Sequence, residues 1–369
     1  MRVLKLILLL VISLVIVSCN SDLKKSDDKA EHNRNMIDSI GFATDSNQMQ
    51  TVMDRIDELY YCDIAECFQL NNLDDSSSWK AVISPHDDYS YVGPAYQKVL
   101  KNINAKTLIV FGVAHKAKYL GIQDKIVFDS FNNWNEPLGL VKVSDFRNEL
   151  IRKLDTNYYL ISDSLHKIEH SIEALIPFLQ YYHTNIEIIP ILVPYMEKSK
   201  MEKIAKQMST IIKEYAKSSN LKWGDNYAIL ISNDGVHYGD EDWGNSELNY
   251  FGSDSLGYKK AVKHEMEIIN KCLIGSLTED KIQLFYNFTV DKNDYKHSLW
   301  SWCGRYSISM GLLTVLELQN LYNSEVTGID LGYSTSIDHK HIKVEDIVMG
   351  LTAPANIHHW VGYPAIGYK

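Results

Sequence analysis

Four short apolar runs punctuate this chain: Ala81–Ser84 (AVIS), Thr107–Val113 (TLIVFGV), Glu187–Val193 (EIIPILV) and Tyr227–Ser232 (YAILIS). A strand that alternates apolar and polar residues covers one face of a sheet, whereas runs without alternation must be buried on both. Between and after them lie stretches with helical spacing at 94–103, 144–154, 171–182, 201–217, 257–273 and 308–322. Strand and helix in alternation over this length specify an α/β fold, with a central, mostly parallel sheet flanked by helices on both faces. A last strand is expected at 360–368 (WVGYPAIGY), where Pro364 would put it at an edge or a bulge.

The N-terminus follows different rules. Arg2 and Lys5 precede an apolar run at 6–17, broken only by Ser13 and ending in Ile16-Val17-Ser18-Cys19. The run is shorter than the roughly 20 residues of a membrane-spanning helix, and a small residue before a cysteine resembles a lipobox. Residues 1–18 therefore read as a lipoprotein signal peptide and Cys19 as a lipidated first residue. That implies a bacterial lipoprotein at the cell envelope, anchored to a membrane through Cys19 and facing the periplasm or the exterior. The composition then turns to Ser, Asp, Lys and Asn, so residues 19–50 are expected to form a flexible tether. Residues 51–369 carry no Pro/Gly/Ser linker and are expected to fold as a single domain.

A net charge of −10 argues against duplex nucleic acid as a partner, since phosphate binding needs a basic face. In an oxidising compartment, Cys62 and Cys67 are the first pair to test as a disulfide, although spacing alone does not fix the pairing among Cys62, Cys67, Cys272 and Cys303.

Five segments carry chemistry, and most sit where a strand gives way to a loop: His86 in SPHDDYSY, His115 in FGVAHK, His170 in IEHSIE, Asp234 and His237 in SNDGVHYG, and Cys303 in WCGRYS. Loops at strand ends are where an α/β fold gathers side chains into one pocket. Pro85 fixes the turn that presents His86, with Asp87 and Asp88 placed to orient its second ring nitrogen. His237 has the intrinsic basicity of a general acid or base, with Asp234 as its orienting partner. Cys303 precedes a helix, a position that favours the thiolate form. The histidines 264, 297, 339, 341, 358 and 359 lack this setting, although His358-His359 lie close enough to the last strand to reach a pocket rim.

Taken in order, SPHDDYSY, FGVAHK, EHSIE, IIPILV, SNDGVHYG and CGRYSISMGLL resemble the Memo family, the B component of the AmmeMemoRadiSam group, and WVGYPAIGY resembles that family's closing strand. The resemblance covers roughly residues 80–368. It implies a fold similar to class III extradiol dioxygenases, non-haem iron enzymes that open catechol rings. It also implies a metal triad of His86, His115 and Cys303, with Asp234, His237 and His170 as pocket residues, His237 in the place of an acid/base histidine, and Glu173 at a helix start lining the same pocket. Departures are Asp87-Asp88 in place of Ala-Gly, Gly112-Val113-Ala114 in place of Gly-Pro-Ser or Gly-Pro-Asn, and Tyr306 where some members carry histidine. Two imidazoles and a thiolate form a soft donor set that admits iron, copper or zinc.

Two other readings compete with a dioxygenase-like activity. His166-Lys167-Ile168-Glu169-His170 matches the H-x-x-E-H pattern of inverted zinc peptidases, with Glu247 at a plausible distance for a third ligand. The other alternative is a non-catalytic envelope protein that holds a metal or a small ligand without turnover.

Overall fold

The structure, a computed structural model, describes residues 32–369 except 75, 245 and 246. The expected signal peptide, the expected lipidation site Cys19 and the first part of the expected tether lie outside the described residues.

The six principal strands, labelled in chain order, are β1 (Ala81–Ser84), β2 (Thr107–Val113), β3 (Glu187–Val193), β4 (Tyr227–Ser232), β5 (Thr327–Thr335) and β6 (His359–Tyr368). They lie in the order β3-β2-β4-β1-β6-β5; the first four are parallel and the last two antiparallel. Alternate residues of the same strand enter different cores. Ile83, Ile109, Phe111, Ile189 and Ile231 face one helical layer, while Val82, Leu108, Val110, Ile188 and Leu230 face the other. Both faces are covered, which is why the four parallel runs do not alternate in polarity.

On one face lie Lys198–Ser218 and Arg305–Tyr322; on the other, Ser46–Leu70 and Tyr89–Leu100. The 25-residue helix Ser46–Leu70 starts where Asp45 accepts the N–H groups of Asn47 and Gln48, and buries Met49, Val52, Met53, Ile56, Tyr60 and Ile64 as one stripe. The expected tether therefore does not run to residue 50. Asn33–Arg34 already pair with Asn133 and Trp134, and Phe42 and Ala43 are buried. The polar composition of this stretch concealed its order, because Arg34 is buried through hydrogen bonds rather than apolar contact.

Cys62 and Cys67 both lie on that helix and are free, as are Cys272 and Cys303. Five residues along a helix turn the chain by about 140° net and advance it by about 7.5 Å. The two Cα atoms are thus beyond disulfide reach, which overturns the expected pairing.

Pro364 lies inside the sheet rather than at its edge. β6 pairs with β5 at 362–368, while its other side pairs with β1 at 366–368 and with His237–Gly239 at 359–361. Pro364 falls in the gap between those two pairings, and the bulge sits opposite, in β5 between Asp330 and Gly332. No helix among the described residues is long and apolar enough to cross a membrane.

Candidate metal centre

Three neighbouring strands deliver the site at their carboxyl ends: β2 leads to His115, β4 to Asp234 and β1 to His86. The two histidine-bearing strands are not themselves neighbours, since β4 separates them. Cys303 arrives from the opposite direction, just ahead of the helix Arg305–Tyr322. Gly304 makes this approach feasible: its N–H donates to Asn233 Oδ1 at 2.9 Å, and a Cβ there would lie 2.5 Å from Asn233. Asp234 N–H then donates to Cys303 Sγ at 3.2 Å.

The ligand atoms of His86, His115 and Cys303 all lie within 4.8 Å of one another, as do those of Asp234, His237 and Cys303. Cys303 Sγ is 3.6 Å from His86 Nε2, which lies 3.4 Å from Asp234 Oδ2. His170 completes the cluster, its ring centroid 5.4 Å from that of His86 and 5.3 Å from that of His115.

Hydrogen bonds set the tautomers. Ser232 Oγ donates to Ser171 O at 2.5 Å, so its contact with His86 Nδ1 at 2.7 Å must be an accepted N–H. The lone pair of His86 is therefore on Nε2, facing the thiol. His115 Nδ1 lies 3.1 Å from Glu169 Oε2, which likewise takes the Nδ1 proton and frees Nε2. An outer acceptor that fixes each imidazole is the usual support of a metal ligand.

Several sequence expectations are corrected here. Asp87 and Asp88 do not orient His86: Asp87 accepts from Tyr363 Oη at 2.7 Å, and Asp88 accepts from Thr352 N and Oγ1 at 2.6 and 2.8 Å. Asp234 does not orient His237; it accepts the main-chain N–H of His86 at 2.8 Å. Glu173 pairs with Arg34 instead of lining the pocket. His359 stacks on Trp243, with centroids 3.8 Å apart, and Trp243 in turn meets His237 at 5.1 Å. His358 pairs with Asp240 near the surface.

The zinc-peptidase pattern fails geometrically. Its helix covers only Asp163–His166, so His166 and His170 do not share a helical turn. His166 Nε2 contacts Val127 O at 3.0 Å, Glu169 serves His115, and Glu247 is exposed.

Burial holds the donors neutral. Burial, with the neighbouring His115, His170 and His237, drives the His86 pKa well below its ordinary value. Burial also lowers His115 against the pull of Glu169, and lowers His237 to about 3. The Cys303 thiol is pushed well above its usual range by burial and Asp234, overriding the expected effect of the helix start. Asp234 is raised by burial and Asp87. Within the cluster, His170 moves the other way and is raised: burial opposes its charge, but Asp38 favours it more. Imidazole lone pairs, a thiol and a carboxyl group converging in this way fit a soft cation, whose charge would replace the protons of the thiol and the carboxyl.

Beside the cluster lies a cleft of about 360 Å³ floored by His115, His237 and Cys303. Lys116, Lys118 and Arg305 line it and, among the described residues, no carboxylate does, although the protein as a whole is acidic. Arg305 packs over the Tyr306 ring at 4.9 Å, and its buried Nε has no hydrogen-bond partner among the described residues.

Fold and donors together define an α/β protein with a donor cluster suited to a metal ion at the carboxyl edge of its sheet. The Memo-like protein family model matches residues 54–350, and the chain belongs to that family. It is similar to a MEMO1 family protein of Nitrosopumilus maritimus, 25% identical over 304 residues, covering 81% of this chain and 87% of that one. It is also similar to a MEMO1 family protein of Sulfolobus acidocaldarius, 32% identical over 163 residues, covering 42% and 52%. An uncharacterized protein of Escherichia coli K12 gives a TM-score of 0.40 at 10% identity, covering 76% of this chain and 98% of that one.

Ser232, Glu169 as partner of His115, Asp38, Arg34 and Arg305 escaped the sequence reading. Ser232 ends an apolar strand directly before Asn-Asp, which was the one available signal.

Proposed function

We propose that this chain is an envelope-anchored Memo-family protein that binds one transition metal ion through His86, His115 and Cys303, beside a cleft that takes a small anionic molecule. The observation that carries this reading is the pair of fixed tautomers: His86 and His115 each give one ring proton to a protein acceptor and keep the other nitrogen free as a donor. The soft donors suit Fe(II), Cu(I) or Zn(II). When bound, a redox-active metal would supply electron transfer of the dioxygenase-like kind, and zinc would supply Lewis acidity. Around it, Arg305 and Lys116 bind and orient the anion, His237 offers a neutral imidazole as a hydrogen-bonding group, and the buried wall excludes water.

Elemental analysis of anaerobically purified protein, with His86→Ala and Cys303→Ala, tests the metal; unchanged metal content in those variants would sink it. Oxygen uptake with catechol carboxylates then separates an enzyme from a non-catalytic binder. The second reading is supported by Cys303 itself, since a thiol ligand is readily oxidised. Detergent-phase partitioning of the wild type and Cys19→Ala tests the anchor.

A further inference from the structure

The loop at 169–171 supports both proposed histidine ligands. Glu169 accepts from His115, Ser171 O receives the Ser232 proton that fixes His86, and His170 stands against both rings. This loop lacks regular secondary structure and is held from outside, by a segment that precedes the family-matched residues.

Arg34, completely buried, donates from Nε to His166 O at 2.8 Å and from Nη2 to Glu169 O at 2.7 Å, while Nη1 pairs with Glu173. Its guanidinium lies 4.1 Å over the Trp134 ring. Glu173 Oε1 in turn accepts from Ile37 N and Asp38 N at 2.8 and 3.0 Å. Asp38 Oδ2 is thereby brought within 3.4 Å of His170 Nδ1, an ion-pair separation, and neither atom has another partner among the described residues. Phe42 meets the His170 ring edge-on, centroids 5.9 Å apart.

We propose that residues 33–42 are a positioning strap for the metal centre: Arg34 locks the 166–173 loop so that Glu169 and Ser171 orient the two histidines, and Asp38 fixes His170. Gripping two carbonyls and a carboxylate at once needs the planar fork of arginine; lysine supplies the charge but only a point donor. The strap acts through other residues and touches no ligand atom directly.

The inference rests on the metal reading, and separate measurements distinguish them. Co(II) affinity and the visible thiolate-to-cobalt bands are measured on the mature chain for wild type, Arg34→Lys, Arg34→Ala, Asp38→Asn and His86→Ala. Arg55→Ala, which loses a surface pair with Asp346, serves as the structural control. Both Arg34 variants are expected to weaken binding by about tenfold or more, within the range of outer-shell substitutions. Asp38→Asn should shift the cobalt bands, and Arg55→Ala should change neither. In the metal-free protein, hydrogen exchange of the Lys116 amide, which donates to Glu169, should quicken in Arg34→Lys. Wild-type affinity, bands and Lys116 protection in Arg34→Lys and Asp38→Asn would overturn the strap. Equal cobalt binding by wild type and His86→Ala would instead overturn the metal centre beneath it.

Discussion

Ser232 Oγ lies 2.7 Å from His86 Nδ1 and 2.5 Å from Ser171 O, so a single hydroxyl proton decides which nitrogen of His86 is free to bind a metal. The hydroxyl belongs to the last residue of the strand that separates the two histidine-bearing strands. The strand order thus places the tautomer lock between the ligands it serves.

Ser232→Ala removes that lock and leaves the His86 Nδ1–H and Ser171 O without a partner. The fold is expected to lose about 1–3 kcal/mol, the usual cost of unsatisfied buried groups. Metal affinity should fall by about 10- to 100-fold. Thermal unfolding and competition with a chromogenic chelator measure the two effects; undiminished affinity would mean that the tautomer is set elsewhere.

Cys303 is shared between two donor groups, one with His86 and His115 and one with Asp234 and His237. The first has imidazoles whose Nδ1 protons are held by Ser232 and Glu169. His115→Ala is therefore expected to lose about tenfold or more in metal affinity, in line with the loss of a supported ligand. His237→Ala should stay close to wild type and lose only an imidazole that lines the cleft. The opposite ranking by isothermal titration would assign the ion to the second group.

The free cysteines differ in exposure. Cys62 is exposed and Cys272 fully buried. Maleimide should label Cys62 quickly in the folded protein and Cys272 only on unfolding. A non-reduced sample should show no mass change on reduction, and a 2 Da gain per chain would restore a disulfide.

The parallel strands were legible because their apolar runs lack alternation, and His86, His115, Asp234 and Cys303 were legible because they follow strands or precede a helix. Their partners were not. Glu169 sat inside a pattern that suggested a zinc peptidase, and nothing in HKIEH shows that its helix stops at His166. Arg34 and Asp38 lay in a polar stretch whose order comes from hydrogen bonds to residues more than 130 positions away. The helix Ser46–Leu70 was legible in principle, since Met49, Val52, Met53, Ile56, Tyr60 and Ile64 already repeat at helical spacing.

Glu265 supplies the last prediction. Its buried carboxylate accepts from Trp300 Nε1, from Trp302 Nε1 at 2.5 Å, from Val236 N at 3.0 Å and from Tyr333 Oη at 3.3 Å. It thereby anchors the segment that delivers Cys303 to the turn that delivers His237. Burial outweighs these four donors and raises its pKa from 4.5 to about 7. The folded state therefore holds this proton while the unfolded chain releases it. The contribution to stability is highest below pH 4.5, declines as pH rises to about 7, and is level above that. A shift of this size corresponds to roughly 3 kcal/mol over the window. Glu265→Gln cannot titrate, so the wild-type minus variant difference in urea stability should fall by about that amount between those limits. A difference that stays flat from pH 4.5 to 7 would show that the four donors keep Glu265 ionised throughout.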